Sequence, residues 1–186
     1  MKSVANLLFE ARMLKSTHRS GYAFLGAGRE SVAEHSFMIT MIAFVFTRIE
    51  DGLDAARLMA MCLLHDLPES RIGDLNYVQK QYVSADEPKA IDDLIADLPF
   101  GESLAELIKE YNALETREAR LAHDADQIAL ILDLKALSDM GHPPTSKWLP
   151  AAVKRIKTGL GKRLTEAILA TEWDEWWLKN YVDTPK

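Results

Sequence analysis

The chain has 186 residues, 48% of them hydrophobic, which is enough for one sizeable core and fits a single domain. Its 22 Lys and Arg stand against 28 Asp and Glu with no long basic run, so the broad positive surface of a phosphate-backbone binder is missing and nucleic acid is not expected as a partner.

Met1 to Asn6 leads directly into an amphipathic pattern containing Glu10, so no export signal is expected. Leu7, Leu8, Ala11 and Leu14 recur at helical spacing and predict a first helix that stops before the polar stretch from Ser16 to Gly21. A loop with Gly21, Gly26 and Gly28 follows, ending at Ser31-Val32-Ala33-Glu34, a capping box that opens a second helix. Val32, Phe37, Met38, Met41, Ile42, Val45, Phe46 and Ile49 crowd most of that helix's circumference, which places it at the centre of the core. The longest nearly apolar stretch, Phe37 to Phe46, is about half of the roughly 20 residues that a membrane span requires, so a soluble protein with no membrane partner is expected.

Asp54 suits the N-cap of a third helix through Leu58, Met61, Cys62, Leu64 and His65, with Pro68 where it should end. Cys62, the single cysteine, reads as a small core residue and fits a reducing, cytoplasmic compartment. Helical patterns then run roughly from Pro88 to Leu98, Ser103 to Leu114 and Arg117 to Met140, the last stopped by Gly141 and Pro143-Pro144. One more helix is expected from Trp148 or Pro150 to Ala170, followed by a Trp-rich tail whose rings, with Trp148, should cover a core edge. Lys154-Arg155-Ile156-Lys157 reads as a solvated helix face. No alternating apolar and polar run suggests strands, so the fold expected is an all-α bundle.

Of the five histidines, only His35, just after the capping box, and His65, at the end of an apolar helix, look placed in a core. A single histidine in an apolar helix is as a rule a hydrogen-bonded core residue. His65-Asp66 is different, because a buried, unpaired carboxylate would be costly to desolvate. A metal ion, a salt bridge or a capping role for Asp66 would each offset that cost, and the dipeptide alone does not choose among them.

Its company gives a direction. Glu34-His35-Ser36, Leu64-His65-Asp66-Leu67-Pro68-Glu69, Gly73-Asp74-Leu75 and Ala125-Asp126-Gln127, in that order, resemble the HD-domain phosphohydrolases, and more narrowly the bacterial 5'-deoxyribonucleotidases and their eukaryotic HD-domain relatives. The resemblance spans about residues 10–140. It implies a single HD-domain helical bundle over 1–186, with the metal-site core at about 30–140 and C-terminal helices at 145–180. It also implies that His35, His65, Asp66 and Asp126 ligate one divalent ion, for which mixed imidazole and carboxylate donors suit Mn, Fe, Co, Ni or Zn. His123-Asp124 repeats the pair superficially, but the matching ligand falls in Ala125-Asp126, and the earlier pair reads as a polar helix face near the surface.

The same resemblance assigns water activation or proton transfer to Glu69 beside Asp66, substrate phosphate to Arg19 and substrate sugar to Asp74. Read without it, these are a surface glutamate, an exposed loop arginine and a tight-turn aspartate bonded to local backbone. Tyr22 stands where such relatives often carry a tryptophan, and is expected to contact substrate. Glu69-Ser70 lacks the Glu-Asp pair of relatives that hydrolyse guanosine tetraphosphate, and no Gly-Tyr-Pro signature of the cyclic-dinucleotide branch occurs. The activity implied is hydrolysis of (deoxy)ribonucleoside 5'-monophosphates by a homodimer. A phosphodiesterase or other phosphomonoesterase on the same scaffold, or a non-catalytic nucleotide-binding protein, are the alternatives.

Overall fold

The computed structural model describes residues 1–182. Among these it contains eleven α-helices and one 3-10 turn: α1 (Lys2–Met13), α2 (Tyr22–Leu25), α3 (Val32–Ile49), α4 (Ala55–Leu64), α5 (Glu69–Ile72), the 3-10 turn (Gln79–Gln81), α6 (Glu87–Ile95), α7 (Gly101–Ala113), α8 (Arg117–Asp139), α9 (Thr145–Val153), α10 (Gly159–Ala170) and α11 (Glu175–Val182). Among the described residues there is no strand, only an isolated antiparallel bridge between His18 and Ser31. The all-α reading holds.

Side-chain caps set several helix starts. The Ser31 backbone N–H donates to Glu34 Oε2 at 2.7 Å while Ser31 Oγ accepts the Glu34 N–H at 3.2 Å, completing the capping box of α3. Asp54 Oδ1 accepts the Arg57 N–H at 3.0 Å to start α4, and Thr116 Oγ1 accepts the Ala119 N–H at 3.1 Å to start α8. These three helices pack on one another and enclose the core, with Phe46 and Ile39 from α3, Leu58 and Met61 from α4, and Leu121, Ile128, Ile131 and Leu134 from α8. A smaller cluster of Leu14, Val32, Leu67, Leu94, Leu104 and Ile108 holds α6 and α7 beside it.

Three departures from the sequence reading have physical causes. The loop after α1 contains a short helix, α2, closed by Gly26 at φ 70°, a conformation that glycine adopts without strain. On α3, Ile39, Ile42, Ala43 and Phe46 are buried, but Phe37 and Ile49 are 63% and 58% exposed, so the core takes one face of this apolar helix and not its circumference. Finally, the single helix expected up to Ala170 is two, α9 and α10, broken at 154–158.

That break has an anchor. Asp124, read from sequence as part of a polar surface face, is fully buried on α8 and accepts the backbone N–H groups of Lys157 and Thr158, both at 2.8 Å. Burial raises the pKa of its carboxyl, but the His123 side chain and then these backbone bonds hold it below the usual range, and Thr158 Oγ1 in turn caps α10 through the Gly161 N–H at 2.9 Å. Asp124→Ala strands two backbone donors and is expected to lower stability by about 3 kcal/mol, roughly 10 °C in Tm for a chain of this length. Thermal unfolding measures it, and the metal content should not change. The tail tryptophans also differ from expectation: Trp173, Trp176 and Trp177 are 42%, 78% and 40% exposed, and only Trp148 packs against the main core.

Candidate metal centre

The three core helices each deliver one donor. His35 lies just past the capping box on the buried face of α3, His65 caps the C-terminal end of α4, and Asp126 projects from α8. Their donor atoms all fall within 4.8 Å of one another, and His35 Nε2 is 2.9 Å from Asp126 Oδ1. Both rings are oriented from behind. His65 Nδ1 sits 3.1 Å from the Cys62 carbonyl oxygen, a bond that makes Nδ1 the donor and leaves the Nε2 lone pair facing inward, and Tyr111 lies over the ring with centroids 4.3 Å apart. His35 Nδ1 faces Glu30 Oε2 at 3.5 Å, a charge contact longer than a closed hydrogen bond.

Asp66 stands at the edge of this trio. Its Oδ1 is 3.2 Å from His65 Nε2, its Oδ2 is 4.0 Å from His35 Nε2, and the same Oδ2 lies 3.5 Å from Arg19 Nη1. The four residues singled out from sequence are thus together, three as a tight set and Asp66 between that set and Arg19.

The electrostatics fit a divalent cation. Asp66, Asp126, Asp74 and Glu69 gather around the guanidinium of Arg19. Burial works against the Arg19 charge, but Asp126, Asp66 and Asp74 outweigh it and hold the guanidinium more firmly protonated than usual. Burial likewise disfavours a charged His35, yet its contacts with Asp126 and Glu30 push its pKa up to about 9. The cluster therefore recruits a proton onto a buried ring at neutral pH. An ion among the same nitrogen and oxygen donors would supply that positive charge instead, and the residues present fit a borderline transition metal.

Glu69, the first residue of α5, carries a buried Oε2 with no hydrogen-bond partner. Burial first, then the charges of Asp66 and Asp74, push its pKa up to about 9 in the metal-free chain. Asp74 follows Gly73, whose φ of 75° makes the turn, and its Oδ2 accepts from the Ser20 N–H at 2.5 Å and the Ser20 hydroxyl at 2.9 Å. It locks the Arg19 loop in place, and its Oδ1 stands 3.7 Å from Arg19 Nη1. The Tyr22 hydroxyl donates to Asp133 and lies 3.4 Å from Glu30 Oε2. Arg19, Tyr22, Glu69, Gly73 and Asp74 line a cavity of about 830 Å³ that also exposes His65, Asp66 and Asp126.

Several participants were not singled out from sequence. Glu30 precedes the capping box and backs His35; Asp133 lies seven residues after Asp126, on the same side of α8, and holds Tyr22; the Gln127 amide donates to Asp126 Oδ2 at 2.7 Å. The i+7 spacing from Asp126 was a usable signal for Asp133. Glu30 had none, since it reaches His35 from a loop. Glu30→Gln is expected to weaken metal binding about tenfold. Titration of the metal-depleted variant with Co or Mn would read this directly. His123-Asp124 is absent from the centre, as expected, and His142 Nε2 instead meets the Leu25 carbonyl oxygen at 2.7 Å.

A family model described as HD domain matches residues 11–168. The chain is 28% identical over 149 residues to 5'-deoxynucleotidase HDDC2 of Homo sapiens, covering 77% of this chain and 72% of the relative, and 29% identical over 146 residues to the protein of the same name from Dictyostelium discoideum, covering 72% and 77%. Among solved structures, a conserved hypothetical protein from Pyrococcus furiosus superposes with a TM-score of 0.73 at 27% identity, over 88% of this chain and 96% of that one.

Proposed function

The chain belongs to the HD domain family, and from that premise we propose that it is a metal-dependent phosphohydrolase that cleaves the 5'-phosphate from deoxyribonucleoside monophosphates, with water as the phosphoryl acceptor. The observation that carries this reading is the convergence of His35, His65 and Asp126 within 4.8 Å, beside Arg19 and the buried, unbonded carboxyl oxygen of Glu69 on one cavity wall. The name borne by the human and Dictyostelium relatives supports the substrate.

His35, His65 and Asp126 would hold the ion, with Asp66 completing the set. When bound, it would neutralise charge on a phosphoryl oxygen and make a water more acidic. The rest falls to the chain's own groups. Arg19 meets its carboxylate neighbours only at 3.5–4.0 Å, so its guanidinium gives up little by turning its fork to a phosphate. Glu69 carries the proton that the departing 5'-oxygen needs, and as carboxylate it then accepts one from the next water. Asp74 keeps the Arg19 loop fixed through Ser20, and its Oδ1 is the oxygen on that wall available to a sugar hydroxyl. We assign Tyr22 to the wall around the phosphate, held by Asp133.

The test is a panel of 5'-monophosphates, 3'-monophosphates and cyclic or bridged diesters assayed with Mn, Co and Ni. The reading expects phosphate release from 5'-deoxynucleotides at least about tenfold above the other classes, as a pocket bonded to one arrangement of substrate groups provides. Preferential cleavage of diesters would replace it with a phosphodiesterase, and binding without turnover with a nucleotide-binding protein. The proposal includes a cytoplasmic homodimer: Cys62 is a buried free thiol, and Phe37, Met41 and Phe44 leave an apolar stripe exposed on α3. Sedimentation would read the assembly.

A further inference from the structure

Four aromatic rings line the cavity, Tyr22, Tyr77, Tyr111 and Trp148. Two are engaged elsewhere: Tyr22 by its bonds to Asp133 and Glu30, and Tyr111 by its face over His65. Tyr77 and Trp148 remain. They meet edge to face, centroids 6.5 Å apart and planes at 74°, with Phe24 behind Tyr77 at 5.8 Å. Such an arrangement buttresses each ring from the side and leaves a face open to the cavity.

The two amide side chains on the cavity wall are at least partly engaged with the protein itself. Asn76 donates through Nδ2 to Ser20 Oγ at 3.1 Å and accepts through Oδ1 from the Val78 and Gln79 N–H groups at 3.1 and 3.0 Å. Asn112 donates to Glu87 Oε1 at 3.3 Å. What remains on the cavity wall, besides charged and hydroxyl groups, is a pair of aromatic rings set nearly at right angles, each able to offer a face.

We propose that Tyr77 and Trp148 form the stacking platform for the nucleobase, an inference that rests on the nucleotidase reading above and names its specificity-determining residues. The platform grips any planar base, because every base has a π-face. A deoxyribose phosphate without a base gains nothing from it.

The experiment compares wild type, Tyr77→Ala and Trp148→Leu, each assayed with Mn on the four deoxynucleoside 5'-monophosphates and on deoxyribose 5-phosphate. Tyr77 is 62% exposed, so its truncation keeps the fold, and leucine preserves the packing of Trp148 against the core while removing its π-face. The expected result is a rise in KM of about tenfold for all four nucleotides, with kcat nearly unchanged and no change for deoxyribose 5-phosphate. Unchanged nucleotide KM in both variants, or an equal rise for deoxyribose 5-phosphate, would overturn the platform while leaving the nucleotidase intact. A wild-type protein that turns over no nucleotide would remove both.

Discussion

His35→Ala and Asp126→Ala are each expected to lower kcat/KM by about 10³-fold or more, because several kcal/mol of transition-state stabilisation leave with the ion. Each donor sits on a different helix of the core, and His35 Nε2 lies only 2.9 Å from Asp126 Oδ1, so neither has a neighbour that can take its place. The purified variants should carry far less metal than wild type. Misfolding would mimic the activity loss, so stability is read alongside it: Asp126→Ala leaves the buried His35 without its 2.9 Å partner, and the metal-free variant should unfold somewhat earlier than metal-free wild type yet still cooperatively. Kinetics, metal content and thermal unfolding on one preparation distinguish the cases. A variant with full metal content and no activity would move Asp126 from metal ligand to some other role.

Glu69→Gln should act with opposite signs on catalysis and on stability. Removing the proton-transfer group is expected to lower kcat by about 10²- to 10⁴-fold with little change in KM. For stability the direction follows from the pKa. Burial and the charges of Asp66 and Asp74 raise Glu69 from its ordinary 4.5 to about 9, so between those values the folded, metal-free chain holds a proton that the unfolded chain releases. Its contribution is therefore fully present below pH 4.5 and lost as pH rises towards 9. His35, raised from 6.5 to about 9, acts in the same direction over the upper part of that window. Metal-free wild type should lose stability on going from pH 5 to pH 9, and Glu69→Gln should flatten part of that slope, by on the order of 1–3 kcal/mol at the alkaline end. Denaturant unfolding across that range, with kinetics on the same protein, checks both signs. A Glu69→Gln protein with the wild-type pH slope would show that the carboxyl is not held protonated.

The order of the main elements was legible in the sequence because it is written in short-range signals, whereas the candidate donors were legible through the resemblance of their motifs to a known family. Caps at Ser31 and Asp54 mark where two helices begin, and apolar spacing marks the faces that pack; the packing of α3, α4 and α8 then brings His35, His65 and Asp126 together. What stayed hidden depends on contacts across the fold. Asp124 looked like a surface residue because nothing local reveals that a loop more than thirty positions later will bring two N–H groups to it. For the same reason the break between α9 and α10 was missed. Glu30 reaches His35 from an irregular loop, and Tyr77 and Trp148 are far apart in sequence, so no periodicity joins them. The exposed half of α3 was misjudged because composition reports how apolar a helix is, not how much of it the neighbouring helices cover.

The most direct test is to titrate metal-depleted protein with Co(II) or Mn(II) while following phosphate release from a deoxynucleoside 5'-monophosphate. Activity should be near zero without metal, rise in proportion to the ion added and saturate at one equivalent per chain. Full activity in the depleted protein, or saturation only at two equivalents, would contradict a single-ion centre built from His35, His65, Asp126 and Asp66.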